Sequence, residues 1–310
     1  MSFLSPGLFT TADMSAKGKT EAGVAVSRLG RESLVALFGR RTLPSSIMVR
    51  HNDTKVLAAL DEQAHGSYLA TEMKKTGNKS IDRAFSASGK GVAKGALSVF
   101  PQNIGRTVLL FYTEPGMTVV DPFAGHNSRM QLVVAEGRSY IGYDICHSFM
   151  ETNRARAVVL RGLFPGVSID LHEQDSRKLS KTKSGVGDFT ITSPPYYDVE
   201  FYGDEPQQLG KSKTYEQFLD GMEQVLRENV RVLKPGAFAC WFINDFRRKG
   251  KMHFYHIDIL QRGEAAGFVA HDIAIVDFGP GIRDSFLNQA VEQKILPKRH
   301  EYCVVFRKPL

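Results

Sequence analysis

From Phe100 to Leu310 the chain alternates short apolar runs with longer amphipathic ones, and that alternation leaves few folds open. The short runs cover 118–120, 140–143, 167–171, 188–192, 237–243, 269–276 and 302–306, each bounded by turn residues. Runs of this length, rich in β-branched and aromatic side chains, read as buried strands. Segments of helical period fill most of the gaps, at 128–136, 147–163, 214–232 and 254–266. Strands that alternate with helices of this length pair in parallel through crossovers. The pattern therefore predicts an α/β fold, a doubly wound, mostly parallel seven-stranded sheet. Ligands of such sheets bind outside the carboxyl ends of the strands, where the strand order switches.

Residues 1–96 differ in texture and predict a basic N-terminal extension to a domain spanning 97–310. Two amphipathic stretches stand out, Ser33-Leu34-Val35-Ala36-Leu37-Phe38 and Val56-Leu57-Ala58-Ala59-Leu60, among Gly-, Ser- and Lys-rich sequence. The extension holds 14 Lys and Arg against 8 Asp and Glu, so it carries +6 of the overall +7. A local excess of cations suits phosphate groups. The segment is the candidate for DNA contact, with an oligomerisation arm, as in a homodimer, or a disordered tail as the alternative.

No apolar run approaches membrane-spanning length, and the first residues lack the pattern of a signal peptide. The three cysteines, Cys146, Cys240 and Cys303, show no metal-ligand spacing, and no metal site is expected. Cys240 and Cys303 lie in apolar runs and read as reduced core thiols. A cytoplasmic protein is expected.

Two strand ends carry features of a ligand site. Val119-Val120-Asp121-Pro122-Phe123-Ala124-Gly125 is a strand that ends in a small-residue turn opening a helix, suited to close backbone approach. Nineteen residues after Gly125, Asp144 closes the next strand, where a carboxylate can accept hydrogen bonds from both hydroxyls of a ribose. Asp175 follows the third strand and serves either an adenine amino group or a helix N-cap.

The fourth strand runs into Thr192-Ser193-Pro194-Pro195-Tyr196. Prolines fix φ and remove N–H donors, so the carbonyls around them are rigidly aimed acceptors. An exocyclic amine on a ring is a poor nucleophile because its lone pair is delocalised. Ser193 Oγ and the Pro194 carbonyl could hold its two hydrogens and favour a pyramidal nitrogen. Tyr196 offers a face for a flipped base. In the following loop Tyr197, Phe201 and Tyr202 either stack bases or form a lid on their own domain. Asn244 and Asp245 end another strand; Asp245 reads as a cap or as an ion-pair partner of Arg247 and Arg248 rather than as a catalytic acid.

The order Phe100-Pro101, Val120-Asp121-Pro122-Phe123-Ala124-Gly125, Tyr143-Asp144-Ile145 and Ser193-Pro194-Pro195-Tyr196 resembles the amino-methyltransferases of DNA, the cytosine-N4 and adenine-N6 enzymes. Val232-Leu233-Lys234-Pro235-Gly236 and the closing 298–308 segment are similar to theirs as well. The resemblance covers 97–310. It implies a class I, Rossmann-like fold that binds S-adenosyl-L-methionine across Asp121, Pro122, Phe123, Ala124 and Gly125. Asp144 and Ile145 would lie at the ribose, Asp175 on the adenine side, and Phe100-Pro101 against the cofactor. It further implies direct methyl transfer to a base flipped from double-stranded DNA, in the setting of restriction–modification. Serine at the first catalytic position points to cytosine N4. Adenine N6, an RNA amino group and a catalytically silent nucleic-acid binder are the alternatives. One departure stands out: Gly125 is followed by His126-Asn127-Ser128-Arg129, where the family has small residues.

Overall fold

The computed structural model describes residues 46–49, 100–200, 202–278 and 284–310, all within the unit Ser46–Leu310. The amphipathic stretches at 33–38 and 56–60 lie outside the described residues.

All seven expected strands are present: β2 (Thr118–Asp121), β3 (Ser139–Asp144), β4 (Ile169–Glu173), β5 (Gly187–Thr192), β6 (Leu233–Ile243), β9 (Val269–Asp277) and β10 (His300–Arg307). An eighth, β1 (Ile47–Val49), comes from within the 1–96 segment and pairs in parallel with β9, Ile47 opposite Ile275. The order across the sheet is β1-β9-β10-β6-β5-β2-β3-β4. Every pairing is parallel except those of β10, which runs antiparallel to both β6 and β9. The chain moves outward from β2 through β3 to β4 and then returns to β5 on the other side of β2. The order therefore switches between β2 and β5.

The expected helices are α2 (Ser128–Ala135), α3 (His147–Leu163), α4 (Tyr215–Val232) and α5 (Tyr255–Ala266). Two more are α1 (Gln102–Tyr112) and α6 (Asp284–Gln293). A two-stranded hairpin of β7 (Phe246–Arg248) and β8 (Lys251–His253) stands apart from the main sheet.

Side chains alternate across the central strands as the pleat requires. On β6, Cys240 and Phe242 enter one core with Ile104 and Leu109 of α1 and Met130 of α2. Ala239, Trp241 and Ile243 enter the other with Phe218, Met222 and Val225 of α4 and Ile259 of α5. The three α4 residues, Phe218, Met222 and Val225, follow the helical period, so one stripe of that helix faces the sheet. Cys240 and Cys303 are buried free thiols, as expected.

The buried indole and amide beside this core are matched to each other. Trp241 Nε1 donates to Asn229 Oδ1 at 3.3 Å, and Asn229 Nδ2 donates to Thr190 Oγ1 at 2.7 Å, which pins α4 to β5 and β6. Asn229→Ala leaves the buried indole N–H unpaired and should lower the free energy of unfolding by about 1–3 kcal/mol. Urea unfolding followed by the fluorescence of Trp241, the single tryptophan, measures this; an unchanged midpoint would show that the bridge contributes nothing.

Candidate active site

The carboxyl ends of β2, β3 and β5 border a cleft of about 860 Å³, counted out to its open mouth. Asp121, the last residue of β2, lies beneath it, fully buried. Its Oδ1 accepts from Thr192 Oγ1 at 2.6 Å and from the Phe123 N–H at 3.1 Å. Its Oδ2 accepts from Arg129 Nε at 2.7 Å and from the Tyr140 hydroxyl at 2.9 Å. The Arg129 guanidinium also donates to the Phe123 carbonyl and lies 5.2 Å from the centre of the Phe100 ring. Burial works against its charge, but the Asp121 carboxylate beside it keeps it protonated.

Gly125 turns the chain with φ of +48°, a conformation that favours glycine. Its N–H donates to Asp144 Oδ2 at 2.8 Å, and Asp144 Oδ1 accepts from the Cys146 N–H at 2.8 Å. Each Asp144 oxygen thus keeps a lone pair beyond its backbone bond. Burial pushes the Asp144 carboxyl up to about 6, with the Asp121 charge adding to the shift and the two N–H groups opposing it. His126 packs against Phe149 at 4.8 Å between ring centres. Burial, helped by Arg129, lowers its imidazole to about 4, so it is neutral at physiological pH.

Asp175 lines the cleft, but its carboxylate is gripped by Arg177, whose Nε lies 2.9 and 3.0 Å from the two oxygens. Arg177 Nη2 donates to the Gln207 carbonyl at 3.1 Å, which ties the 202–211 loop over this end. The Arg177 N–H donates to Asp175 Oδ1 at 2.9 Å, so the turn that follows β4 is also capped.

Beyond β5, Ser193, Pro194, Pro195 and Tyr196 all line the same cleft. The Pro195 carbonyl accepts from the Tyr255 hydroxyl at 3.1 Å. Tyr196 is nearly buried, and burial lifts its phenol well above the usual range. Hydrogen bonds that join its oxygen to the Ser193 side chain and the Asn244 backbone act the other way. The Tyr196 N–H donates to the Tyr202 hydroxyl at 3.2 Å, and that hydroxyl donates to Glu200 Oε2 at 2.5 Å.

Of the residues expected at the site, Phe100, Phe123, Gly125, Asp144, Ile145, Asp175 and 193–196 line one cleft. Pro101, Asp121, Pro122 and Ala124 stand behind its wall: Pro101 opens α1, and the Pro122 carbonyl accepts from Ser176 Oγ. Tyr197 acts as a lid on its own domain, packed against Tyr215 and Phe218 at 5.6 Å each. Tyr202 faces the cleft, and Phe201 lies outside the described residues. Asp245 caps α5 and pairs with His256 Nδ1 at 2.6 Å, while Arg248 takes Asp198 at 2.7 Å instead. Sequence reasoning missed Arg129, Phe149, Ser176, Glu200 and Gln208 as cleft residues. The crowded 126–129 loop was the one signal that pointed toward any of them.

A switch-point cleft that joins a glycine turn, an acid on the next strand and a Ser-Pro-Pro-Tyr turn defines an amino-methyltransferase with a class I fold. The family model for DNA methylases matches residues 64–155 and 188–309, and the chain belongs to this N6/N4 DNA methylase family. S-adenosyl-L-methionine is the cofactor of that family, as the sequence implied. The match begins inside the 1–96 segment, and Asp175 falls between its two parts.

Among solved structures, a methyltransferase of Methanosarcina mazei dependent on S-adenosylmethionine is 14% identical, covering 69% of this chain and 100% of its own, with a TM-score of 0.46. A Thermus thermophilus protein assigned as a DNA modification methylase, complexed with S-adenosyl-L-methionine, is 28% identical over 44% of this chain, with a TM-score of 0.32. This chain spans about half of that protein, 51%. TrmN from Thermus thermophilus is 15% identical, covering 74% of this chain and 53% of its own, with a TM-score of 0.46. No curated protein matches the chain. No helix among the described residues is long and apolar enough to cross a membrane.

Arg129 and Asp121 form a buried ion pair at the cleft wall. Arg129→Ala leaves a buried carboxylate without its cation and should destabilise the fold by about 3–5 kcal/mol. Chemical denaturation checks this, and a loss below about 1 kcal/mol, the scale of an exposed pair, would contradict the arrangement.

Proposed function

We propose that this protein methylates the N4 amino group of cytosine in double-stranded DNA, with S-adenosyl-L-methionine held across the glycine turn. The observation that carries the reading is the meeting of Ser193-Pro194 with Gly125 and Asp144 in one cleft. The cleft suits the cofactor chemically. The Asp144 carboxylate retains acceptor capacity for ribose hydroxyls, and Phe100, Ile145 and Phe149 supply apolar walls. Asp175, braced by Arg177, borders the adenine side. When bound, the cofactor supplies an electrophilic methyl group on a sulfonium.

The residues of the chain then act by orientation. Ser193 Oγ and the Pro194 carbonyl accept the two amino hydrogens, which turns the nitrogen lone pair toward the methyl group. The Tyr255 hydroxyl claims the Pro195 carbonyl, which stiffens the turn and supports Pro194 as the second acceptor. Tyr196 borders the pocket for the base. An amino group inside a duplex is out of reach, so the cytosine is flipped out to enter. The basic 1–96 segment contributes phosphate contacts, and the enzyme works in the cytoplasm.

Nucleoside mass spectrometry of DNA from cells expressing the protein tests the target: N4-methylcytosine is expected, and N6-methyladenine would replace this reading. Ser193→Ala should lower kcat on the order of 10²-fold with cofactor affinity unchanged, since the lost acceptor acts on the amine.

Asp144 makes the cofactor step depend on pH. Its carboxyl titrates near 6 in the folded chain, above its ordinary value of 3.8, and only the ionised form accepts from both hydroxyls. Affinity for S-adenosyl-L-methionine should therefore be level at neutral pH and fall by up to about tenfold per unit as pH drops below about 6. Asp144→Asn should bind more weakly and without that dependence. Calorimetry across pH 5–8 measures both, and a flat wild-type profile would remove Asp144 from the cofactor site.

A further inference from the structure

The β7–β8 hairpin concentrates charge in a part of the chain that is otherwise balanced. Residues 97–310 carry a net charge of only +1, yet 246–253 hold Arg247, Arg248, Lys249 and Lys251 and no acid. Two local choices run against hairpin stability, and both place cations. The tight turn Lys249-Gly250 has φ of +48° and +76°, the left-handed pair that favours Asn-Gly or Asp-Gly, yet its first residue is lysine. Arg248 lies directly across the ladder from Lys251, a like-charge pair that destabilises strands. Local rules broken in one direction mark a functional demand.

The hairpin is fixed to the rim of the active site. Phe246 is buried, and His253 stacks on it at 5.0 Å and 17°. Phe246 also meets Tyr255, whose hydroxyl holds the Pro195 carbonyl at 3.1 Å. Arg248 pairs with Asp198, two residues past Tyr196. That pairing leaves Arg247, Lys249 and Lys251 exposed, with the exposed rings and chains of Phe254 and Ile257 beside them.

We propose that this hairpin is a phosphate clamp that grips the DNA backbone beside the flipped nucleotide. Arg247, Lys249 and Lys251 make the contacts, and Arg248 is the tether that keeps them in register with the Ser-Pro-Pro-Tyr turn. The inference rests on the reading of DNA as substrate. It puts a backbone contact on the catalytic domain itself, in addition to any made by the 1–96 segment.

The test uses the full chain, a fluorescent 30-base-pair duplex of mixed sequence and anisotropy titrations over a range of salt. Each phosphate contact contributes roughly 0.9 to the slope of log affinity against log salt. The combined Arg247→Gln, Lys249→Gln, Lys251→Gln variant should lower that slope by about 2–3. Its affinity for S-adenosyl-L-methionine should match wild type. Lys249→Asn removes one charge and suits the turn better, so it should lose about 0.9 of slope while unfolding no more easily than wild type. Unchanged slopes in both variants, with wild type binding normally, would overturn the clamp and leave the substrate untouched. A wild-type protein that neither binds duplex DNA nor transfers methyl to it would overturn the substrate reading, and the clamp with it.

Discussion

The Asp121 carboxylate is the interaction on which the rest of the site depends. A buried charge is costly unless matched, and this one is matched by four donors from separate parts of the chain. Thr192 ends β5, Tyr140 lies on β3, Arg129 is in the first turn of α2, and the Phe123 N–H belongs to the turn after β2. Satisfying one charge therefore fixes the ends of β2 and β5 relative to each other, to the start of α2 and to a side chain from the start of β3. Ser193 follows Thr192 directly, and Gly125 lies two residues past Phe123. The Ser-Pro-Pro-Tyr turn and the glycine turn are spaced by a carboxylate that stands behind the cleft wall. Chemistry that works by orientation tolerates little slack, so a rigid knot beneath the site serves it better than flexible contacts within it.

That knot also explains the departure at 126–129. Small side chains in that turn would leave the Asp121 charge to water or ligand, whereas Arg129 supplies an internal counter-ion. A guanidinium at this position must then be buried along with its partner, and both His126 and Phe149 close over the same end. Burial above all, with that cation beside it, strips the proton from the imidazole and leaves it neutral. The bulky loop is thus an alternative way of balancing charge beneath the glycine turn.

The strand–helix alternation was legible because the central strands are strongly apolar and the long helix α4 shows a clear stripe, while the short α2 is buried on all sides. What escaped was held by tertiary contact. β1 is three residues long and pairs with a strand more than two hundred residues away, which no local pattern can signal. In α1, Gly105 interrupts the period because the Phe100 ring lies where its side chain would be. The hairpin strands are short and cationic, so they carry no apolar alternation. At the site, Asp144 and Ser193 were legible as polar residues at strand ends. Arg129 was not, since an arginine on a short helix reads as a surface residue until the carboxylate eight positions earlier is seen beneath it. Asp245 was legible as a cap, but its partner is His256 rather than the adjacent arginines, because the hairpin turns those outward.

Charge is sorted by depth. Inside the cleft the Arg129 cation is cancelled by Asp121, His126 is neutral, and Asp144 is ionised above about pH 6. What remains near the glycine turn is negative, the sign that favours a sulfonium cofactor. On the rim, the hairpin presents cations that Asp198 offsets only once. In the proposed reaction a polyanion approaching the mouth would meet positive charge first, and the negative interior only through a flipped base, which is itself uncharged. The same separation keeps phosphates from competing for the cofactor turn, because a backbone phosphate drawn into the cleft would face Asp144. In the proposed reaction, the order of charges from rim to floor thus selects which part of the DNA enters and which part stays outside.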